Sequence, residues 1–274
     1  MPVGLAVEVT GFGRILTSMN TTPNGDVSAV RFQTASGYMT DSARRKYIAS
    51  AVEHGTLPTD AHRMPAIVSL DASDNLSQPI QFWQLFSVLG PERIIGIVRQ
   101  FYRRVFADED WFRRVFERVG GLEHHVRTQA SMWIDVMGGG PAYHGAEFRL
   151  HFHHHHNALE LLNEKGAARW VGLMVETLDD PSLDLGDDPR VRPALNTFLG
   201  HFMSQYAADF QFPDTADFGA RNASVKRRIN FLNLSSDAIE ALPERELIDA
   251  LEARGIDTAP LKTKRDLVNR ALRL

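Results

Sequence analysis

The sequence predicts a mainly α-helical protein with a small β-rich region at its N-terminus and a helix–loop–helix at its C-terminus. Apolar residues recur with a helical period over residues 92–107. A second helical pattern, over residues 122–137, stops at three consecutive glycines and a proline, a strong helix-ending signal. Before residue 78, short apolar runs alternate with turn residues, which is typical of strands. At about 150 residues per domain, the chain of 274 residues suggests about two domains.

The composition excludes several classes of protein. Hydrophobic residues (43%) and charged residues (23%) occur in the proportions of a globular chain rather than a disordered one. No apolar run reaches the roughly 18 residues of a membrane-spanning helix, and the first twenty residues lack a secretory signal pattern. We therefore expect no membrane partner. The chain has no cysteine, which excludes disulfides, thiolate metal sites and cysteine nucleophiles.

Residues 1–78 are predicted to form the β-leaning region, with no assigned role. Its apolar runs lie at residues 5–10, 14–19, 27–34 and 65–70, and a TTPNGD turn separates the second run from the third. One helix is predicted here, over residues 42–54, with Asp41 or Ser42 as its cap. A polar, turn-rich stretch at residues 71–80 is the predicted link to the rest of the chain.

Residues 79–212 are predicted to form one all-α domain. Besides the two helices named above, apolar spacing predicts helices at residues 82–89, 111–119, 165–178 and 189–210. Gly90-Pro91 and Asp179-Asp180-Pro181 are predicted breaks. Residues 213–235 are a predicted linker, and residues 236–274 are predicted to form two short helices, at 243–254 and 263–272, around a loop.

Five of the eleven histidines lie at residue 151 and residues 153–156. One interpretation is a solvated polar stretch, and the other is a metal site. Consecutive helical residues point about 100° apart, so at most one or two of these side chains can face one site. No neighbouring residues complete a zinc shell. The histidine run alone therefore does not decide between the two interpretations.

Three fragments of the chain stand out together: QFYRRVFADEDWFRRVF, the Met-Gly-Gly-Gly-Pro-Ala-Tyr turn at residues 137–143, and AARWVGLMVETLDD. In their order and spacing they resemble the truncated haemoglobins of the second group. The resemblance covers residues 85–210, roughly half of the chain. It implies a two-over-two helical truncated globin core that binds haem b (heme b). It also implies that the haem iron takes dioxygen, nitric oxide and carbon monoxide.

The resemblance also implies the proximal iron ligand. The family's haem-ligating histidine follows the tyrosine of the glycine turn by thirteen residues, and counting from Tyr143 gives His156. The interval from His156 to Trp170 is one residue longer than the usual one, which leaves His155 as a rival. A neutral imidazole is a good axial ligand for haem iron.

Further pocket residues follow from the same resemblance. Those implied to line the haem and its distal side are Tyr102, Phe116, His125, Gln129, Tyr143 and Trp170. Tyr102, Gln129 and Trp170 would donate hydrogen bonds to the diatomic ligand. His125 departs from the small residue that many members carry, and it would gate the pocket, donate to the ligand or bind the iron as a sixth ligand, while His124 is expected to be solvated. The alternative is that the aromatic residues form the ordinary core of a helical domain without a cofactor.

Residues 236–274 resemble the SAP module, a small helix–loop–helix that commonly binds DNA. The resemblance lies in LPERELIDALEARGIDTAPLKTKRDLVNRAL, although the loop before Lys264 is longer than usual and Lys262 stands where Gly is common. The implied DNA contacts are Lys262, Lys264 and Arg265, with phosphate-binding N–H groups at the helix start near Thr263. The alternative is a solvated basic face on a chain whose net charge is −4.

These features favour a haem protein that binds diatomic gases, with nitric oxide dioxygenation or peroxidase-like reactions as side activities. The alternative is a haem-based gas sensor whose C-terminal module binds DNA. We expect a cytoplasmic location, and Lys226-Arg227-Arg228 is a short candidate for a nuclear address. The physiological ligand and the oligomeric state do not follow from the sequence.

Overall fold

The computed structural model describes residues 30–225 and 229–274, and nearly all regular structure in them is helical. The helices are α1 (Tyr38–Glu53), α2 (Pro65–Val68), α3 (Leu85–Phe106), α4 (Asp110–Val119), α5 (Leu122–Val136), α6 (Ala146–Asn157), α7 (Glu164–Leu178), α8 (Val191–Phe210), α9 (Ser236–Ala241), α10 (Glu244–Glu252) and α11 (Lys264–Ala271). The only β feature of the described residues is an isolated bridge between Ala35 and Gly139. Among these helices none is long and apolar enough to cross a membrane.

The predicted β-rich N-terminal region is not supported by the part of it that the structure describes. The runs at residues 5–10 and 14–19 lie outside the described residues, as does the TTPNGD turn. The apolar run at residues 65–70 forms the short helix α2, which Pro65 begins at a position where its missing N–H costs no hydrogen bond. The predicted helix is present as α1, although it begins at Tyr38, after Gly37.

Helix α1 is joined to the main helical core rather than to a separate module. Its Met39 and Ala43 belong to one hydrophobic cluster with residues of α3, α5, α7 and α8. The backbone N–H of Thr40 donates to the Asp135 carboxylate of α5 at 3.1 Å. The predicted linker at residues 71–80 is likewise held against the core, because the Arg190 guanidinium donates to the carbonyls of Ser73 and Asn75.

The central helix α3 packs against α5, α7 and α8, and it bends at the predicted break. Gly90 adopts a left-handed conformation with φ of 68°, which L side chains rarely adopt. A Cβ atom at this position would meet the ring of Phe32. The bend therefore depends on glycine both for its backbone angle and for the close approach of Phe32.

The C-terminal residues build a second, separate hydrophobic cluster. Leu247, Leu251 and Leu267 are fully buried in it, between α9, α10 and α11. The segment touches the loop after α1, where the Thr59 hydroxyl donates to the Glu246 carboxylate at 2.5 Å. The predicted linker is partly packed, since Phe218 is buried against the main core. Lys226-Arg227-Arg228 lies outside the described residues.

Candidate functional site

A cavity of about 360 Å³ lies between α4, α5, α6, α7 and α8, beside the C-terminal end of α3, where Tyr102 lines it. Its walls are mainly aromatic and aliphatic, with Trp133 and Met132 from α5 and Phe198 and Phe202 from α8. Amphipathic helices that cross around α3 turn their apolar faces toward this space. The cavity therefore suits a mainly apolar molecule.

Six of the seven residues predicted to surround the haem or its ligand line this cavity. They are Tyr102, Phe116, His125, Gln129, Tyr143 and Trp170. Tyr102, His125 and Tyr143 are buried, whereas the other three are half-buried. The family resemblance singles out these residues, and the packing of α3, α4, α5 and α7 brings them together around one cavity. Their individual roles stay predictions.

His156, predicted to bind the iron, does not line the cavity. Its side chain is exposed on the outer face of α6, where its ring stacks on Phe152 at 4.0 Å. Its Nδ1 atom lies 3.0 Å from the Phe152 carbonyl oxygen, one helical turn back. The rival His155 also points away, with its ring 4.1 Å from that of His151.

Two other histidines of α6, His153 and His154, line the cavity instead. The reason is helical phase: residues 150, 153, 154 and 157 follow the i, i+3, i+4, i+7 spacing of one helix face, and all four line the cavity. Counting residues from Tyr143 does not reveal this phase, because it depends on where α6 begins. The helical spacing of Leu150 and Asn157 around this pair is the sequence signal that could have identified it.

Both cavity histidines are held in the neutral form. Burial lowers the pKa of His154 to about 3, and its ring meets the edge of Tyr206 at 4.5 Å. Burial also lowers the pKa of His153, and the nearby charges of His125 and His124 on α5 add to the effect. A neutral imidazole keeps a lone pair on one ring nitrogen, which is the form that binds a metal.

Tyr102 and His125 form a stacked pair on the α3 and α5 side of the cavity. Their ring centres lie 5.1 Å apart with an interplanar angle of 25°. Burial raises the pKa of Tyr102, so its hydroxyl keeps its proton and can act as a donor. The Nε2 atom of His125 lies 2.9 Å from the Phe116 carbonyl oxygen, which can only accept, so this nitrogen carries the proton. In this arrangement the Nε2 atom of His125 is therefore occupied by a hydrogen bond within the protein.

The edge of the cavity is more polar than its interior. Arg149 and His124 line it and are both exposed, so His124 is solvated as predicted while also bordering the cavity. Helix α6 contains no buried residue, although its inner face borders this space. An aromatic interior, two neutral imidazoles and a positive charge at the edge together fit haem, whose macrocycle is flat and apolar and whose carboxylates are anionic.

The residues predicted to contact DNA lie at the opposite end of the chain. Lys262, Lys264 and Arg265 are all exposed, before and within the first turn of α11. The predicted phosphate-binding N–H groups at this helix start are not all free, because the helix is capped by its own side chains. The Thr263 hydroxyl accepts from the Asp266 N–H at 3.2 Å, and the Asp266 carboxylate lies at the same helix end. That carboxylate repels an anion.

Comparison with known proteins identifies the family. A family model described as bacterial-like globin matches residues 84–203, from the start of α3 to α8. The chain is 29% identical over 109 residues to two-on-two hemoglobin-3 of Arabidopsis thaliana, covering 39% of this chain and 61% of that protein. It is 30% identical over 118 residues to group 2 truncated hemoglobin 3-1 of Lotus japonicus, covering 43% and 67%.

No solved structure matches the chain. The match to the family model ends at residue 203, so the SAP resemblance of residues 236–274 rests on their sequence motif alone. All six predicted cavity residues that the structure brings together lie within the matched span, as does the histidine helix α6. The chain thus belongs to the truncated globins of the two-on-two, group 2 type.

Proposed function

We propose that the cavity binds b-type haem and, through it, diatomic ligands such as dioxygen, nitric oxide and carbon monoxide. The observation that carries this proposal is the gathering of six pocket residues and two neutral imidazoles around one apolar cavity. Membership of the globin family supports the same cofactor. When bound, haem would supply an iron atom with a coordination position for a small ligand.

His153 is our first candidate for the axial ligand. It shares the inner face of α6 with Leu150, and it lines the same cavity as His125 and Gln129 of the α5 wall. His156, which residue counting selects, is the second candidate, and it would need α6 to rotate or shift before reaching the cavity.

The remaining cavity residues would hold the macrocycle and exclude water. Phe116, Tyr143 and Trp170 offer apolar surface to a flat ring, and the Arg149 guanidinium would pair with the carboxylates of the macrocycle at the exposed edge. Tyr102, Gln129 and Trp170 each carry a donor for the diatomic ligand. One such hydrogen bond contributes about 0.5–1.5 kcal/mol. His125 supports this group by stacking on the Tyr102 ring.

Hemin titration of the purified chain tests the proposal. We expect stoichiometric uptake with a Soret band for the full chain, and a reduced, carbon monoxide-sensitive spectrum after reduction. His153→Ala should abolish the axial histidine signature, while His156→Ala, an exposed substitution on the same helix, should leave it unchanged. The loss of the signature in His156→Ala alone would return the assignment to His156. A full chain that takes up no hemin would refute the proposed function.

A gas sensor that binds DNA is the second candidate function. The observation in its favour is that Lys262, Lys264 and Arg265 are exposed on a C-terminal segment that has its own hydrophobic cluster. Binding through phosphates is weakly sequence-selective and falls steeply with salt. A mobility-shift titration of the full chain at two salt concentrations, with and without a haem ligand, tests it. Absence of binding at low salt contradicts DNA binding but leaves the haem proposal intact.

A further inference from the structure

Helix α6, which carries the cavity histidines, receives little support from apolar packing. None of its twelve residues is buried. Phe148 is 80% exposed, and Phe152 is 48% exposed. A helix in a globular protein is normally held by an apolar face that packs on its neighbours. Its lateral contacts are the half-buried Leu150 and the rings of His154 and His155, which meet Tyr206 and Phe210 of α8. Polar contacts at its first turn therefore contribute more to its orientation than in a helix with a buried apolar face.

One such contact joins the first turn of α6 to α1. The Glu147 carboxylate accepts a hydrogen bond from the Ser42 hydroxyl at 2.5 Å and another from the Lys46 ammonium at 2.8 Å. Burial acts to raise the pKa of Glu147, but these two hydrogen bonds outweigh it and hold the pKa below its usual value. Glu147 is therefore ionised and doubly engaged at neutral pH.

The start of α6 has a backbone conformation that needs such support. Ala146, its first residue, has φ of 48°, in the left-handed region that is costly for residues with a Cβ atom. Glu147 follows it directly. A residue in this conformation persists only where the surrounding contacts hold it.

Helix α1 is a firm support for this contact. Ser42 is buried in it, and Thr40 is hydrogen-bonded to Asp135 of α5 at 3.1 Å. The Arg44 guanidinium donates to the Val68 carbonyl at 2.6 Å, which ties α1 to α2. Yet α1 precedes residues 84–203, the span that matches the family model. It is an addition to the matched globin core that reaches the histidine helix.

We propose that Glu147 is a positioning residue through which α1 sets the orientation of the histidine helix toward the cavity. We call the contact of Glu147 with Ser42 and Lys46 the anchor. It holds the N-terminal end of α6, about two turns before His153 and His154, and thereby restricts rotation of their side chains away from the cavity. Its effect on a bound cofactor rests on the proposed function, whereas its effect on α6 itself does not.

The first test measures hydrogen exchange in the haem-free full chain. Glu147→Ala should speed exchange of the α6 amides about fivefold, the scale of losing a partly exposed ion pair with its hydrogen bond. Ser42→Ala should give part of this effect, and the double variant should exceed Glu147→Ala by little, because both residues serve one contact. The matched control is Asp184→Asn, which removes the exposed Arg93–Asp184 pair at a distance from α6.

The second test uses the haem-loaded protein and a spectroscopic readout. Glu147→Ala should shift the iron–histidine stretching frequency and speed haem loss to an acceptor globin about fivefold. Glu147→Gln still accepts a hydrogen bond from Ser42, so its frequency and its rate of haem loss should lie between those of Glu147→Ala and the parent. Unchanged α6 exchange in Glu147→Ala, relative to Asp184→Asn, overturns the inference. If the full chain takes up no haem, the proposed function fails, and the hydrogen-exchange measurement alone tests whether Glu147 holds α6.

Discussion

The Tyr102–His125 pair shows how single residues combine in this cavity. Tyr102 is buried and keeps a protonated hydroxyl, while His125 stacks on its ring and is tied by its Nε2 atom to the Phe116 carbonyl. The imidazole therefore limits the positions open to the phenol. A donor held in place in an apolar cavity stabilises partial negative charge more effectively than a mobile one.

Tyr102→Phe isolates the contribution of that hydroxyl. We expect the dioxygen dissociation rate of the haem-loaded protein to rise about tenfold, because one hydrogen bond worth about 1.4 kcal/mol is lost without a change in packing. Stopped-flow ligand replacement measures this rate. Tyr38→Phe, at an exposed position of α1, is the control and should leave it unchanged. Equal rates in both variants would exclude Tyr102 from the ligand site.

Buried histidines also predict how stability depends on pH. Burial lowers the pKa of His201 to about 4 and that of His154 to about 3, so the folded haem-free chain resists protonation there. The unfolded chain binds these protons near pH 6.5. The contribution of these two histidines to the unfolding free energy is therefore highest above pH 6.5. It falls as the pH drops toward their lowered pKa values, by up to about 1.4 kcal/mol per pH unit for each histidine.

His201→Phe removes one of these titrations. Urea unfolding of the haem-free chain between pH 7 and pH 4.5 should show a shallower loss of stability for this variant than for the parent. His62→Gln, a change at an exposed histidine, should keep the parent's pH dependence. A parallel pH profile for His201→Phe and the parent would show that this side chain does not remain neutral in the folded chain.

At the scale of elements, α3 offers a matched pair of glycines. Gly90 lies at the bend with φ of 68° and with the Phe32 ring against it, whereas Gly96 lies in regular helix with no atom within 4 Å of an added Cβ. Local helix propensity alone favours alanine at both positions. Only the bend and its contact make Gly90 different.

Gly90→Ala should destabilise the chain by about 1–3 kcal/mol, because alanine is strained at this angle and meets Phe32. Gly96→Ala should be neutral or stabilise it by about 0.5–1 kcal/mol. Urea unfolding monitored by circular dichroism measures both. Equal effects of the two substitutions would mean that the bend in α3 does not require glycine.

Helix α6 shows where element-level prediction stops. The periods and breaks of the sequence place α3, α4, α5, α7, α8, α10 and α11 within a few residues of their observed ends. Helix α6 has no comparable apolar stripe, because its two phenylalanines, Phe148 and Phe152, are exposed and its five histidines fall on several sides of the helix. The rotation of this helix, and with it the pair of histidines that lines the cavity, His153 and His154, depends on its start at Ala146 and its contact with α1.

At the scale of the whole molecule, the described residues form two hydrophobic clusters. One extends from α1 through α8, and the other lies within residues 229–271. Contacts such as that between Thr59 and Glu246 join the two. Separate cores lead us to expect that the C-terminal segment can lose structure without unfolding the cavity-bearing part.

Leu251→Ala tests this independence. The side chain is fully buried in the C-terminal cluster, and such truncations cost about 2–5 kcal/mol. Hydrogen exchange should rise in residues 229–274 while amides of α3 and α5 keep their protection. Leu195→Ala, at a fully buried position of α8, should instead reduce the protection of the larger cluster. A uniform rise in Leu251→Ala would show one cooperative unit.

The sequence by itself determined the helical class of the globin core and the ends of most helices, because caps, breaks and periodic apolar positions act over a few residues of chain. The set of aromatic and polar residues around the cavity followed from the resemblance of its fragments to the truncated haemoglobins. The tertiary structure decided that α1 joins the globin core and that His153 and His154, rather than His156, face the cavity. Both depend on how a helix is rotated against distant neighbours, and that rotation is set by packing and by contacts such as Ser42 to Glu147.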